Sequence, residues 1–198
     1  MAAPNPQQEE ADALARQFLA GEPGAFGSLV ELLQARFYRI AYRVTGDSET
    51  SLDVVQDAFV KIHKNAASWD QGSRFTSWSY RIVTNLAIDT HRRRGRERKA
   101  VESRAQAQPR YLDDHCADGL VAEERAELVS RVKDAISQLP PKQQAIVALR
   151  HYEGFSLKEI AEIRGCALGT VKSTLHQAFR NLRKHMGQEL LEQVGGRA

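Results

Sequence analysis

Residues 156–186, SLKEIAEIRGCALGTVKSTLHQAFRNLRKHM, contain the clearest structural pattern in this chain. Ser156 and Glu159 have the spacing of a capping box, which predicts that a helix begins there. Gly165 is placed to end that helix, because glycine readily adopts the left-handed backbone beyond a helix C-terminus. A longer helix is predicted to follow, since apolar residues recur along one helical stripe. These residues are Val171, Leu175, Ala178, Leu182 and Met186.

The opposite face of the longer helix is basic and rich in hydrogen-bonding groups. A short helix, a glycine turn and a longer helix with such a face are typical of a helix-turn-helix, whose second helix enters the major groove of DNA. An ordinary helical hairpin with a solvated face is the alternative that this stretch leaves open. The outward-facing residues are Lys172, Ser173, His176, Gln177, Arg180, Arg183 and Lys184.

The composition allows one or two small domains, since 42% of the 198 residues are hydrophobic. There is no run of 18 apolar residues, so no membrane-spanning helix and no stable membrane insertion are expected. The N-terminal stretch has acidic residues and lacks the apolar segment of a signal peptide, and we expect a cytoplasmic protein. The two cysteines, Cys116 and Cys166, fit a reduced protein better than a disulfide scaffold, with a thiol switch as the alternative.

The charge is unevenly distributed, although the net charge is only +3. Residues 71–104 have 9 basic and 3 acidic side chains, and residues 139–198 have 9 and 5. Residues 1–70 and 105–138 are net acidic. Two basic blocks separated by acidic ones predict two regions that contact a polyanion.

The first half of the chain has helical periodicity. Residues 1–8, rich in Pro, Gln and Ala, are predicted to be a loose tail. A first helix should end at Gly21, and a second should carry Pro23 in its first turn and end at Gly46. No strand alternation appears in either segment.

A third helix is predicted from a Ser48 cap to about Ala66. Asp53, Gln56 and Asp57 cluster on the side away from its apolar stripe. The two aspartates are four residues apart and repel, so a basic or amide-rich partner would relieve them. A solvated acidic face is the alternative. The residues predicted to form the buried stripe are Leu52, Val55, Ala58, Phe59 and Ile62.

A fourth helix is predicted after the loop at residues 68–75, with Thr76 as its cap. Asn85, Asp89 and Arg92 share a face, and a basic cluster follows them. Aromatic side chains beside such a cluster suit single-stranded nucleic acid, because rings stack on bases while cations follow phosphates. The alternative is that Trp78 and Tyr80 belong to the core. The basic cluster comprises Arg92, Arg93, Arg94, Arg96, Arg98 and Lys99.

The sequence therefore predicts an all-α protein with two small helical domains joined by a flexible linker, the second ending in the helix-turn-helix. The domains are expected at residues 9–95 and 121–186, with the linker at 96–120. Pro141 is placed to open a helix before the helix-turn-helix. His115 beside Cys116 has no matching pair at zinc-site spacing, so we expect no metal and no cofactor.

Four motifs in this order resemble a known family: DVVQDAF (53–59), FTSWSYRIVTNLAIDTHRR (75–93), LPPKQQAIVALRHYEGFSLKEIAEI (139–163) and GTVKSTLHQAFRNLRKHM (169–186). They resemble bacterial sigma factors of the extracytoplasmic-function group, in the sigma-70 family. The resemblance covers nearly the whole chain outside the tail and the linker. It implies a protein with two helical domains that binds core RNA polymerase and directs it to promoters, without a catalytic site of its own.

The resemblance also implies a role for each cluster and a set of partners. Core RNA polymerase would bind Asp53, Gln56 and Asp57 through its clamp helices. Promoter DNA would be opened and read at the −10 element, where a base that leaves the stack needs a pocket to bind it. The residues implied in this role are the loop 68–75 with Trp78, Tyr80, Asn85, Asp89, Arg92 and Arg93. The −35 element would be read by Thr170, Lys172, Ser173, His176, Gln177 and Arg180. Members of the family are commonly held inactive by an anti-sigma factor, so such a partner is expected.

The chain departs from the family pattern at two places. Relatives usually have an arginine or a similar long base near Thr174 and Gln177, so the −35 sequence read here is expected to differ. Ala167 stands where a capping Ser or Pro is common, and the start of that helix lacks an obvious side-chain cap.

Two other functions compete with that of a promoter-specificity subunit. A repressor or activator that binds duplex DNA alone would need only residues 139–186, leaving the acidic cluster and the region of Trp78 unexplained. An enzyme with a DNA-binding tail would need a phosphate loop, a nucleophile elbow or a metal-ligand cluster, and the sequence has none of these motifs. We therefore expect a protein that is not an enzyme.

Overall fold

The computed structural model describes residues 6–101 and 131–186, with the backbone alone for residue 7 and residues 98–101. Within these ranges the chain is helical and contains no strand, which confirms the all-α fold. The helices are α1 Pro6–Leu19, α2 Ala25–Thr45, α3 Ser48–Asn65, α4 Phe75–Val101, α5 at residues 131–137, α6 Pro141–His151, α7 Leu157–Arg164 and α8 Leu168–Met186, with a 3-10 turn at Ala66–Ser68.

Helices α1 to α4 form the first helical unit. Helices α2, α3 and α4 pack against one another, and α1 lies on α2 and α4. Phe37 of α2 is at the centre of the core, with its ring centroid 5.2 Å from that of Phe59 and 5.3 Å from that of Tyr80. One aromatic side chain from each of three helices therefore holds the unit together.

Two helices of this unit start differently from the prediction. Asp47 caps α3 by accepting a backbone N–H of its first turn at 2.9 Å, so Ser48 is the first helical residue and not the cap. Helix α4 begins at Phe75, before the predicted cap Thr76. The carboxylate of Asp12 in α1 accepts the backbone N–H of Phe75 at 2.8 Å. A cap supplied by a distant helix has no local signal in the sequence.

Other helix boundaries also differ from the prediction. Helix α1 begins at Pro6, within the predicted tail, because proline suits the first helical position. Pro23 precedes α2 and does not lie in its first turn. Helix α4 continues to Val101, so residues 96–101 of the predicted linker are helical. The rest of that linker lies outside the described residues.

The predicted local signals of the second unit, α5 to α8, are confirmed. Ser156 and Glu159 form the capping box at the start of α7, and Gly165 ends that helix with a φ of 60°. Pro141 is the first residue of α6. The apolar stripe of α8 faces inward, with Leu175 partly buried and Val171, Ala178, Leu182 and Met186 buried.

The two units pack directly on one another. Helix α6 lies against α2 and α4, and α7 lies against α4. Phe155, which is 2% exposed, places its ring centroid 4.8 Å from that of Tyr80. Leu149 and Ile160 belong to the same buried cluster as Phe37. The expected domains thus share a continuous apolar core in this arrangement.

Candidate functional site

The acidic face, formed by Asp53, Gln56 and Asp57, lies on the outer side of α3. All three side chains are exposed, while the neighbouring residues Val54 and Ala58 are buried on the inner side of the helix. The structure thus brings the three predicted residues together on one surface. Their role in binding a partner stays a prediction.

An apolar groove borders the acidic face. Leu52 was predicted to be buried, but it is 59% exposed, and Val60 is 44% exposed. Leu52, Gln56 and Val60 are four residues apart from one another, and this spacing in the sequence indicates that they share one face of the helix. The groove, between α2 and α3, has a volume of about 490 Å³ and is lined by Phe26, Val30, Gln56, Phe59, Val60, His63 and Lys64.

The predicted −10 residues on α4 fall into two groups. Asn85, Asp89, Arg92 and Arg93 are exposed, and the first three follow one face of the helix as predicted. Trp78 is partly buried and packs on Phe75, at 5.5 Å between ring centroids. Tyr80 is fully buried, which contradicts its predicted availability for stacking on a base.

The surroundings of Tyr80 explain its burial. Its hydroxyl donates to Glu153 Oε2 at 2.8 Å, and its ring makes edge contacts with Phe37 and Phe155. Burial, reinforced by the Glu153 charge, raises the pKa of Tyr80 well above its usual range. The phenol therefore stays protonated and keeps donating. In this arrangement Tyr80 is a core residue, the alternative that the sequence left open.

Asn85 has a partner that sequence reasoning missed. Arg164, at the end of α7, donates from Nη1 to Asn85 Oδ1 at 2.8 Å and to Thr84 Oγ1 at 3.2 Å. Burial is the main cause that lowers the pKa of Arg164, and a guanidinium remains cationic despite such a shift. The bonded residues are 79 positions apart, so no local pattern indicates the pairing.

Helix α8 presents the predicted DNA-reading residues to solvent. All six are exposed on the side opposite the buried stripe: Thr170, Lys172, Ser173, His176, Gln177 and Arg180. The hydroxyl of Ser173 donates to the carbonyl of Thr170 at 3.0 Å. The cationic and amide side chains of the face point away from the core, the geometry that major-groove contact requires.

Neither metal nor disulfide chemistry appears in the described ranges. No group of three or more His, Cys, Asp and Glu side chains there is arranged to hold a metal ion. Cys166 is a free thiol, and Cys116 with His115 lies outside those ranges. Among the helices of the described ranges, none combines the length and apolarity needed to cross a membrane.

Comparison with known proteins gives two family matches. Residues 29–97 match the model of sigma-70 region 2, and residues 130–182 match that of sigma-70 region 4. The first range contains the acidic face and the exposed face of α4. The second contains the helix-turn-helix.

Two curated relatives match this chain along nearly their whole length. The chain is 30% identical over 175 residues to the ECF RNA polymerase sigma factor SigW of Bacillus subtilis, covering 86% of this chain and 94% of SigW. It is 30% identical over 191 residues to the RNA polymerase sigma-H factor of Pseudomonas aeruginosa, covering 94% and 98%.

A solved structure supports the fold. The sigma factor RpoE from Bartonella quintana, in complex with the anti-sigma factor NepR, superimposes with a TM-score of 0.64. The identity is 23%, and the match covers 83% of this chain and 98% of the other.

Proposed function

We infer that this chain, which belongs to the extracytoplasmic-function (ECF) group of sigma-70 RNA polymerase sigma factors, is a promoter-specificity subunit. It binds core RNA polymerase and directs it to promoters with −10 and −35 elements. The observation that carries this function is the order of two family matches in one chain, regions 2 and 4, at residues 29–97 and 130–182. A repressor that binds DNA alone does not need region 2.

The acidic face is our candidate for the polymerase contact. Asp53 and Asp57 are exposed carboxylates that repel each other, and a positively charged partner surface would relieve this repulsion. Beside this face are Leu52 and, in the adjoining groove, Val60, exposed apolar side chains that lose contact with water when a partner covers them. A charged rim beside an apolar strip is a common composition for a protein interface.

The exposed face of α4 is our candidate for the −10 contact. Asn85 has both donors and acceptors and can read a Watson–Crick edge. Arg92 and Arg93 lie about two turns further along, where they can hold phosphates. On α8, Lys172 and Gln177 are placed to reach base edges of the −35 element. Arg180 is nearer the end of the reading face and contacts bases or phosphates.

The remaining expectations are part of the same proposal. The chain acts in the cytoplasm, where core polymerase is found, and it has no catalytic activity of its own. The RpoE relative is bound to an anti-sigma factor, and this supports the proposal that the present chain also has such a partner.

The experiment that tests this function is promoter binding with and without core polymerase. The DNA probe is a fragment from directly upstream of a gene whose transcript is induced when this chain is overexpressed. A mixture of the chain and core polymerase should bind this fragment, and either protein alone should bind it far more weakly. Asp57→Arg should raise the Kd of the chain for core at least about tenfold, because it replaces attraction by repulsion at the contact. The circular dichroism spectrum and the melting temperature should be unchanged.

Glu31→Arg is a matched control for Asp57→Arg, since it reverses a charge at an exposed position of α2 outside the acidic face. It should leave core affinity at the wild-type value. If the chain alone binds the fragment as tightly as the mixture does, it is a stand-alone DNA-binding protein and the proposal is wrong. Wild-type core affinity in a folded Asp57→Arg variant would remove the assignment of the acidic face.

A further inference from the structure

One buried carboxylate has no part in the proposed function. Asp12 of α1 is 6% exposed and lies outside residues 29–97, the range that matches sigma-70 region 2. A carboxylate that leaves water is stable only when cationic or hydrogen-bonding groups replace its hydration. The partners of Asp12 therefore indicate what this residue does.

Two partners of Asp12 lie where the loop 68–75 joins α4. Its Oδ1 accepts the backbone N–H of Phe75 at 2.8 Å, and its Oδ2 accepts from Nη1 of Arg74 at 3.2 Å. The two oxygens thus hold two consecutive residues. Both bonds are charge-assisted, which makes them stronger than bonds between neutral groups. A carboxylate beside the N-terminus of a helix is also stabilised by the helix dipole.

Two aromatic rings close the loop at its base. Trp69 and Phe75 are 4% and 1% exposed, and their ring centroids are 5.2 Å apart in an edge-on arrangement. Phe75 is also the residue whose backbone N–H donates to Asp12. Asp12 therefore holds the same residue that closes the base of the loop.

The tip of the loop, residues 70–73, is exposed and folds on itself. The carbonyl of Asp70 accepts the backbone N–H of Ser73 at 2.8 Å and its hydroxyl at 2.7 Å. A carboxylate oxygen of Asp70 accepts the N–H of Gly72 at 3.0 Å. These bonds determine the shape of the tip, but they do not connect it to a helix. The orientation of the tip relative to α4 is set at the base, by Phe75 and Asp12.

We propose that Asp12 is a positioning residue for promoter opening, which holds the loop 68–75 in the orientation that binds a −10 base. This inference rests on the proposed function, because it gives the −10 contact of α4 a second part, the loop that precedes the helix. A loop that is ordered before DNA arrives loses less conformational entropy on binding, so its affinity for the correct base is higher. Asp12 itself does not contact DNA, since its side chain is only 8% exposed.

The ion pair with Asp12 also prevents Arg74 from acting as a nonspecific phosphate contact. The guanidinium of Arg74 is held on α1, although its side chain is 40% exposed. A free arginine beside a single strand would bind phosphates, which are present in every sequence. Loss of Asp12 should therefore lower the preference for the −10 sequence without lowering the affinity for single-stranded DNA of other sequence. A purely structural role would lower both.

Hydrogen exchange of the free chain tests the placement of the loop, because a backbone N–H exchanges faster when its acceptor is lost. Asp12→Ala should raise the exchange rate of the Phe75 amide at least about tenfold. Asp12→Asn keeps an oxygen that can accept this N–H, so it should retain most of the protection. Glu10→Ala removes an exposed carboxylate from the same helix and should match wild type.

DNA binding by the complex of the chain with core polymerase tests the consequence. One probe is a single-stranded oligonucleotide with the non-template −10 sequence of a promoter mapped by transcription, and the other has those bases replaced. Asp12→Ala should reduce the ratio of the two affinities at least about fivefold, and binding of the replaced probe should not weaken. Asp12→Asn should reduce the ratio less, and Glu10→Ala should leave it unchanged.

Core affinity and stability are measured on the same variants. The Kd of Asp12→Ala for core should stay within about twofold of wild type, since the acidic face lies on α3 and effects at separate sites are independent. Leu33→Ala lowers the melting temperature by leaving a cavity in the core. Assayed cold, it should keep the wild-type preference for the −10 probe. An equal loss of preference in Leu33→Ala and Asp12→Ala would show that reduced stability explains both and would overturn the positioning role.

The two experiments distinguish this inference from the proposed function. Unchanged exchange of the Phe75 amide in Asp12→Ala would overturn the inference, and so would faster exchange with the wild-type preference for the −10 probe. Faster exchange in a chain that never binds core would overturn the proposed function and still support Asp12 as the residue that holds the loop. Faster exchange with a reduced preference, at unchanged core affinity, would support both.

Discussion

Asn85 shows how the role of a residue depends on side chains far away in the sequence. Helical spacing predicted that it shares a face with Asp89 and Arg92, and the structure confirms the shared face. The spacing could not reveal Arg164, because the two segments meet only after the units pack. The spacing of residues along a helix predicts which side of the helix each side chain faces. Contacts between helices of different units depend on tertiary packing and are not predicted by that spacing.

Asn85→Ala should separate a role in promoter opening from a role in the core. Asn85 is exposed, so the substitution should change the free energy of unfolding by less than about 0.5 kcal/mol. Core binding and closed-complex formation should persist, while the permanganate reactivity of −10 thymines should fall, since the pocket loses a hydrogen-bonding group. A variant that melts early yet opens promoters normally when assayed cold would return Asn85 to a structural role.

Leu52→Ala should weaken core binding without destabilising the chain. Leu52 is 59% exposed, so its truncation removes apolar area from the surface beside the acidic face and leaves no cavity. The Kd for core, measured by titration of labelled chain, should rise about fivefold, equivalent to ~1 kcal/mol of lost apolar burial.

The same substitution at a buried site is the control for Leu52→Ala. Leu33 is 2% exposed, and Leu33→Ala should lower the free energy of unfolding by ~2–5 kcal/mol. Equal destabilisation by both variants in urea titrations would show that Leu52 is a core residue, as the sequence pattern had suggested.

Among the individual elements, α7 was predictable and the start of α4 was not. The capping box and the terminal glycine of α7 are determined by residues within a few positions of each other, so the sequence contains the whole signal. The first N–H of α4 is accepted by Asp12, 63 positions earlier. Signals that are complete within one element can be read from sequence, and those supplied by another element cannot.

Ser156→Ala should lower the free energy of unfolding by ~1 kcal/mol, because the Glu159 N–H loses its acceptor at the start of α7. The reciprocal bond, from the backbone N–H of Ser156 to the Glu159 carboxylate at 2.8 Å, suggests that the two residues act together. Urea unfolding of the single variants Ser156→Ala and Glu159→Ala and of the double variant should show coupling. If the loss of unfolding free energy in the double variant equals the sum of the losses in the two single variants, the two residues do not act together as a capping box.

The packing of the two helical units on one another could not be predicted from any single motif. The two basic blocks and the acidic face were visible in the sequence, as was the division into two helical regions. Their mutual packing was not, because apolar residues such as Phe155 and Leu149 fit equally well into the core of an isolated second domain. The structure places them against the first unit, and the buried Glu153 with its partners from α2 and α4 follows from that packing.

Transcription in vitro on genomic DNA from the encoding bacterium, with the 5′ ends of the products sequenced, shows whether this chain directs core polymerase to promoters. Core polymerase alone should give few specific starts. Core with this chain should give a defined set of starts, each preceded by shared −10 and −35 sequences, and Asp57→Arg should abolish the set while Glu31→Arg retains it. If the chain leaves the pattern of starts produced by core unchanged, or represses starts without creating any, it is not a promoter-specificity subunit.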